Sequence, residues 1–411
     1  MNKKVLVIGA GAAGLMAAGA DVVLLEKMKR PGRKICISGK GRCNVTNIAD
    51  LTEFISHFGR NGRFLRQPFN RFFSLELIHF FEEHGLELVK ERGGRVFPAS
   101  GKAPDVLKAF LQWLSRLPVS IRPDSKVDGL LLEDEQLRGV ICNGTPVYGK
   151  AVILATGGAS YPATGSTGDG YLLAESVGHT IVPIRPSLVP VETGGDLANR
   201  LNGLHLRNVG VQLFIDNKKK QDGFGELLFM KYGLSGPVTL SLSSMIVDAL
   251  QAGKEVTLVL DLKPALDTQK LDARLLRDFS KRRNEQMSSV LRGLIPKEMV
   301  PVCLDETDIS PDRLAGEVRA AERKRLRHWL KNISFEVTGY RGFKEAIVTA
   351  GGVDLRHVNP RTMESQLCPG LYLAGELLDL QADTGGYNLQ AAFSTGWLAG
   401  QSAADRVVQG S

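Results

Sequence analysis

Gly9-Ala10-Gly11-Ala12-Ala13-Gly14 is the first group of residues whose types and spacing could do chemistry, and that chemistry is the binding of a dinucleotide diphosphate. Gly9 permits a tight turn, Gly11 lets the backbone approach a pyrophosphate, and Gly14 lets a helix pack close to a strand. The helix N-terminus then offers unpaired N–H groups to the anion. Val5-Leu6-Val7-Ile8 before the motif reads as a strand buried on both faces, and residues 15–18 after it suit a helix. A second strand, expected over Asp21 to Leu25, ends at Glu26, whose carboxylate can bind a ribose hydroxyl pair. A purely structural glycine turn would need none of these flanking features.

The spacing behind the motif departs from the usual pattern. An acidic residue normally follows the glycines by about 20 residues, whereas Glu26 lies 12 past Gly14. At ~1.5 Å per residue a helix over residues 12–18 spans about 10 Å. The strand it must run back along measures about 13–16 Å at ~3.3 Å per residue. The crossover therefore predicts that several residues of the first helix are lacking around Ala18-Gly19.

More glycine-marked segments follow. Residues 32–44 carry Arg33, Lys34, Lys40 and Arg42 among glycines, which suits a loop that passes phosphates and then a cofactor ring better than a solvated basic loop. Residues 151–158 read as a buried strand ending in a glycine turn. Residues 370–375 read as a strand ending at Glu376. Gly385-Gly386-Tyr387-Asn388 opens a final helix to about Arg406, whose first amides can stabilise negative charge on a bound ring.

The run Arg30-Pro31-Gly32-Arg33-Lys34-Ile35-Cys36-Ile37-Ser38-Gly39-Lys40-Gly41-Arg42-Cys43-Asn44-Val45-Thr46-Asn47 is highly specific. Gly-Glu-Leu-Leu-Phe at 225–229, Gly-Leu-Ser-Gly-Pro at 233–237, Val-Thr-Ala-Gly-Gly-Val at 348–353 and Thr-Gly-Gly-Tyr-Asn at 384–388 accompany it. Together, across residues 5 to about 400, the chain resembles the BaiN/YhiN-type flavoproteins. The resemblance implies an α/β fold: a Rossmann-like FAD-binding domain of the glutathione-reductase type, interrupted by a β-barrel-like insert and a helical insert. The expected boundaries are 1–186 with 341–411 for the FAD domain, 187–262 with about 332–340 for the barrel-like insert, and 263–331 for the helical insert. FAD is expected to be non-covalent. The implied cofactor contacts begin with Gly9, Gly11, Ala12, Ala13, Gly14, Glu26 and Lys27. They continue through Gly32, Arg33, Lys34, Ser38, Gly39, Gly41, Arg42, Cys43 and Asn44 to Val127, Thr156, Gly157 and Gly158. Gly375, Glu376, Asp379, Gly385, Gly386, Tyr387, Asn388 and Leu389 complete the set, with Glu376 or Asp379 reaching the ribityl hydroxyls or the pyrophosphate.

Composition bounds what else the chain can be. Its 411 residues allow two or three domains, and 43% hydrophobic with 23% charged residues excludes a largely disordered chain. Glycine, at 45 residues, exceeds the usual ~7% without any collagen-like period, so the excess belongs to turns and ligand loops. Cys36, Cys43, Cys142, Cys303 and Cys368 are too scattered for a disulfide framework, and no Cys/His spacing reads as a metal site. Cys36 and Cys43 could form a redox pair, but six intervening residues make structural roles the better expectation. The basic start and uncharged residues 5–20 imitate an export signal, yet the glycines there have a better explanation, so a cytoplasmic protein with no membrane partner is expected.

Helical runs are expected near 53–57, 74–84 and 103–117, strands near 126–132, 138–142 and 147–154, and a turn at Gly165-Ser166-Thr167-Gly168-Asp169-Gly170. Arg319, Arg323, Lys324, Arg325, Arg327 and Lys331 cluster on one expected helix of the helical insert, either a solvated face or a nucleic-acid surface. No second GxGxxG appears, so NAD(P)H is expected only as a transient electron donor. Three functions stay open. One is an oxidoreductase moving a hydride between flavin N5 and a small organic substrate, by amine or alcohol oxidation or by reduction of an activated C=C. The second, implied by the resemblance, is reduction of uridine to dihydrouridine in ribosomal RNA. The third is a flavin-binding protein with little turnover. The substrate is expected between the FAD domain and the barrel-like insert, beside Arg42, Cys43, Asn44, Tyr161, Tyr387 and Asn388, with Arg42, Asn44, Tyr161 and Tyr387 the candidates for catalysis.

Overall fold

The computed structural model describes residues 4–19 and 21–409. The chain divides into two compact units, Met1–Pro186 with Phe343–Ser411, and Ser187–Gly342.

The first unit is built on five parallel strands in the order Leu371–Leu373, Ala151–Leu154, Val5–Ile8, Val22–Leu25, Val119–Arg122. The central three consist almost wholly of Val, Ile and Leu and are buried along their full length, as parallel strands covered on both faces must be. Val5 pairs with Ala151 on one side and Val22 on the other, so the glycine turn after Ile8 opens between neighbours that end at the same level. The crossover from the first to the second strand uses one six-residue helix, Ala12–Ala17. The expectation of lacking residues around Ala18-Gly19 abuts Ala20, which lies outside the described residues.

That short helix packs on the final helix, Tyr387–Gln409, through a seam of small residues. A side chain at Gly396 would strike the Ala13 carbonyl, and one at Gly400 the Ala17 carbonyl. Residues 33–44 are not simply a loop. Arg33–Gly41 begins as a helix with Ile35 buried beneath it, and only from Ser38 (ψ 151°) through Gly39 and Lys40 (φ 55° and 56°) does the chain turn out. Glycines at 39 and 41 dominate the sequence pattern there and hide the preceding turn of helix.

The second unit is a closed barrel in the order Val191–Thr193, Gly233–Ser235, Lys218–Met230, His205–Ile215, Val256–Asp261, Ile333–Tyr340. Helix Pro237–Gln251 follows the fourth of these strands in the chain. Helices Thr268–Lys281, Met287–Val290, Met299–Glu306 and Ala320–Lys331 lie between the last two. A separate hydrophobic core joins Leu213, Phe229, Leu258 and Phe335 from the barrel with Leu242, Leu275 and Leu326 from the helices.

Candidate cofactor site

The three glycines of the opening motif do three different jobs. Gly9 has φ +97°, and a Cβ there would come 2.6 Å from the Ala155 carbonyl oxygen. A Cβ on Gly14 would run into the Gly9 carbonyl, so this glycine sets how closely helix and strand approach. Gly11 has no heavy atom within 4 Å of its missing Cβ, because that side faces a cavity.

Glu26 lies at the end of the second strand and is 9% exposed. Its carboxylate accepts the Ala10 N–H at 2.9 Å and the Met28 N–H at 2.8 Å, clamping the glycine turn to the strand end. The Gly32 N–H donates to the Ala10 carbonyl and ties in the next segment. The cavity wall carries Lys27, Arg30, Arg33, Lys34 and Lys126 against Glu26, Asp169 and Glu376, an excess of positive charge that suits a diphosphate. Arg30 and Arg33 have no side-chain partner among the described residues.

Two ion pairs cross the walls. Lys27 donates to Thr167 and, at 2.6 Å, to Asp169. Burial alone would raise the Asp169 carboxyl, but hydrogen bonds from Lys27 and Thr167 outweigh it and hold the group below its ordinary value. Lys34 Nζ donates at 2.6 Å both to Ser160 Oγ and to Glu376 Oε2. Glu376 Oε1 accepts from Ser160 Oγ and the Thr349 N–H at 2.8 Å. The buried Thr156 Oγ1 has no partner, although a buried hydroxyl normally has one. Thr156 lines the cavity with other atoms, while its Oγ1 packs against Gly170, whose missing Cβ would strike it.

Of the expected cofactor residues, Gly9, Gly11, Ala12, Ala13, Glu26, Lys27, Gly32, Arg33, Lys34, Ser38, Val127, Thr156, Gly157, Gly375, Glu376, Asn388 and Leu389 line this one cavity. Asn388 and Leu389, from the far end of the chain, thereby share it with Gly11. Gly14, Gly39, Gly41, Arg42, Cys43, Asn44, Gly158, Asp379, Gly385, Gly386 and Tyr387 do not line it, nor does Tyr161. Several of these support its rim. The Asn47 side chain donates to the Gly385 carbonyl at 3.1 Å, and a Cβ on Gly386 would strike the Thr46 carbonyl, so residues 46–47 and 385–386 lie face to face.

The four candidates for catalysis have diverse neighbours. Arg42 pairs with Glu91 and stacks 4.3 Å above Phe97. Asn44 Oδ1 accepts the Val96 N–H at 3.1 Å. Tyr161 takes a left-handed conformation, φ 52°. The Tyr387 ring stacks on His57, centroids 3.9 Å apart, while His57 Nδ1 lies 3.2 Å from Asp383.

All five cysteines are free, and Cys43 is buried, its thiol pushed up to about 12 by burial. A thiol so far from ionising is a poor redox nucleophile. Ser125, Lys126, Thr164, Gly165, Ser166 and Asp169 also line the cavity, so the 165–170 run is part of the site as well as a turn. Lys27 to Asp169 spans 142 residues, and no local pattern announces such a contact.

The basic helix Ala320–Lys331 is largely neutralised. Arg323 and Arg327 pair with Asp272, Lys331 with Asp261, and Arg325 with Asp308 and the Thr307 carbonyl. Among the described residues no acidic or Cys/His cluster could hold a metal ion, and no helix is long and apolar enough to cross a membrane.

A family profile described as the HI0933-like protein Rossmann domain matches residues 3–402. A 3-dehydro-bile acid delta(4,6)-reductase of Clostridium scindens is 33% identical over 97% of this chain and 98% of its own length. A ribosomal RNA dihydrouridine synthase of Escherichia coli is 31% identical over 96% of each chain. Among solved structures, the fold is similar to a 3-ketosteroid-delta4-(5alpha)-dehydrogenase of Rhodococcus jostii, with a TM-score of 0.51, 16% identity, and 97% of this chain and 96% of that one covered.

Proposed function

The chain belongs to the HI0933-like Rossmann-domain family, and from that premise we propose that it is an FAD-dependent oxidoreductase that reduces a carbon–carbon double bond conjugated to a carbonyl. One observation carries the reading: a single cavity brings together the glycine turn, Glu26 and the basic wall from the start of the chain with the N-terminal turn of the final helix from its end. The residues fit FAD. Gly11 leaves room for a pyrophosphate, and Arg30 and Arg33, with no acidic partner among the described residues, offset its charge. Asn388 fixes the rim by bonding the N–H and carbonyl of Ala382.

When bound, FAD supplies the two-electron hydride chemistry, and the protein's part is to hold it, orient a substrate and exclude water. The names of the two relatives support the choice of reaction, because a delta(4,6)-reductase of a 3-dehydro compound and a dihydrouridine synthase both saturate a double bond conjugated to a carbonyl. Small unsaturated ketones are the first substrate class. Uridine in ribosomal RNA is the second, and amine or alcohol oxidation ranks behind both.

Flavin released from the purified protein by denaturation should be FAD and should need no proteolysis to free it. The reduced holoenzyme, loaded anaerobically with NADH or NADPH, should be reoxidised by conjugated enones or uridine-containing RNA and not by saturated ketones. Recovery of FMN, or reoxidation by oxygen alone, would overturn the reading.

A further inference from the structure

Residues 54–75 contain Arg60, Arg63, Arg66 and Arg71 and no acidic residue. Gly59–Leu65 is a 3-10 helix, and in this helix side chains three apart lie above one another. The sequence divides along that period. Gly62, Leu65 and Pro68 are buried, and Asn61 and Phe64 are half-buried. Arg60, Arg63 and Arg66 are all exposed. Gly62 is required, because a Cβ there would strike the Ile55 carbonyl and lift the turn off the protein.

The guanidinium groups have no acidic partner among the described residues. Other arginines, among them Arg282, Arg323, Arg356 and Arg406, each sit on a carboxylate. The ridge is also docked beside the candidate site. Asn61 donates to both the carbonyl and the carboxylate of Asp379 at 2.8 Å, and the next residue, Leu380, lines the cavity.

We propose that Arg60, Arg63 and Arg66 form a docking ridge for the phosphate backbone of an RNA strand that runs beside the cavity assigned to FAD. The inference rests on the second substrate class above. It places the RNA contact in the first unit rather than on the basic helix at 320–331, whose charges are mostly spent on internal ion pairs. At ~2.0 Å rise per residue Arg60 and Arg63 lie about 6 Å apart along the 3-10 helix, a spacing that lets them take consecutive phosphates, and Arg66 opens the α-helix Arg66–Arg71 that follows directly. A guanidinium fork matches phosphate oxygens two at a time.

The test uses FAD holoenzyme, fluorescein-labelled oligouridylate and deproteinised ribosomal RNA. R60Q/R63Q/R66Q should keep its FAD content and melting temperature, bind RNA at least tenfold more weakly, and lower the log–log salt slope by about 2, at ~0.7 per phosphate released. R60K/R63K/R66K should recover most of the slope. K218Q/K219Q/K220Q, which removes the same charge from an exposed barrel hairpin, should leave RNA binding unchanged. Dihydrouridine formation in the RNA is measured alongside. If wild type forms dihydrouridine and the glutamine variant binds RNA with the same slope, the ridge is refuted and the RNA-reductase reading stands. If no dihydrouridine forms but the glutamine variant alone loses RNA binding, the ridge stands and that reading falls. Absence of salt-dependent RNA binding by wild type, or arginine-dependent binding only to vesicles rich in phosphatidylserine, overturns the ridge.

Discussion

Two backbone N–H groups already occupy the Glu26 carboxylate, so this residue shapes the empty turn as well as any ribose it meets. Hydrogen bonds to a charged acceptor contribute ~1.5–3 kcal/mol. Glu26→Ala is therefore expected to weaken FAD by about ten- to a hundredfold and also to lower the melting temperature of the apoprotein, measured by flavin fluorescence titration and calorimetry. A weakened FAD site with an unchanged apoprotein would confine Glu26 to the ribose. Buried Cys43, with its thiol near 12, should resist Ellman's reagent at pH 8 in oxidised and dithionite-reduced protein alike. Two fast thiols gained on reduction would restore a redox pair with Cys36. The sequence marks Glu26 because a strand and a glycine motif frame it. It says nothing of Lys27 with Asp169, or of Lys34 with Glu376, because both pairs form only once segments 142 and 342 residues apart are folded together.

Strands and final helix follow from the order of residues, whereas the kinked segment at 33–41 does not. Buried runs such as Val22–Leu25 have one stable use in an α/β protein, but a short helix that ends in left-handed glycine and lysine looks like a loop in any local window. Glycines of similar appearance also separate once their surroundings are known. Gly11→Ala meets open space and should melt like wild type while binding FAD more weakly, because its methyl projects into the cavity. Gly396→Val must push the final helix off the Ala13 carbonyl, and overpacking of this kind costs ~1–3 kcal/mol. It should lower the melting temperature and release FAD together. Thermal melts of both apoproteins, paired with FAD titrations, check the contrast. Equal destabilisation by the two substitutions would mean that Gly11 is a packing residue.

At the scale of the molecule, Ser187–Gly342 is one uninterrupted segment with its own closed sheet and its own core. Expressed alone, residues 187–342 should melt cooperatively and bind no FAD, whereas the remaining residues cannot complete their parallel sheet from either fragment separately. Non-cooperative melting of the excised segment would mean that its core depends on the rest of the chain. The FAD-family character of the ends was readable from motifs, since glycine turns are written locally. The pairing of the basic helix with Asp261 and Asp272 was not, because charge in a sequence carries no address for its partner.

Strand Ala151–Leu154 owes one of its two neighbours to Leu371–Leu373, which a ribosome makes more than 200 residues later. At ~5–20 residues per second this takes roughly 10–40 s. Throughout that time Val152, Ile153 and Leu154 present an unpaired apolar edge, the kind of template on which nascent chains join one another. Yield in the cell should therefore depend on how that edge is sheltered during translation. Slowing elongation between codons 187 and 370 should increase aggregation, and trigger-factor-type holdases should relieve it, without any change in the stability of the finished protein.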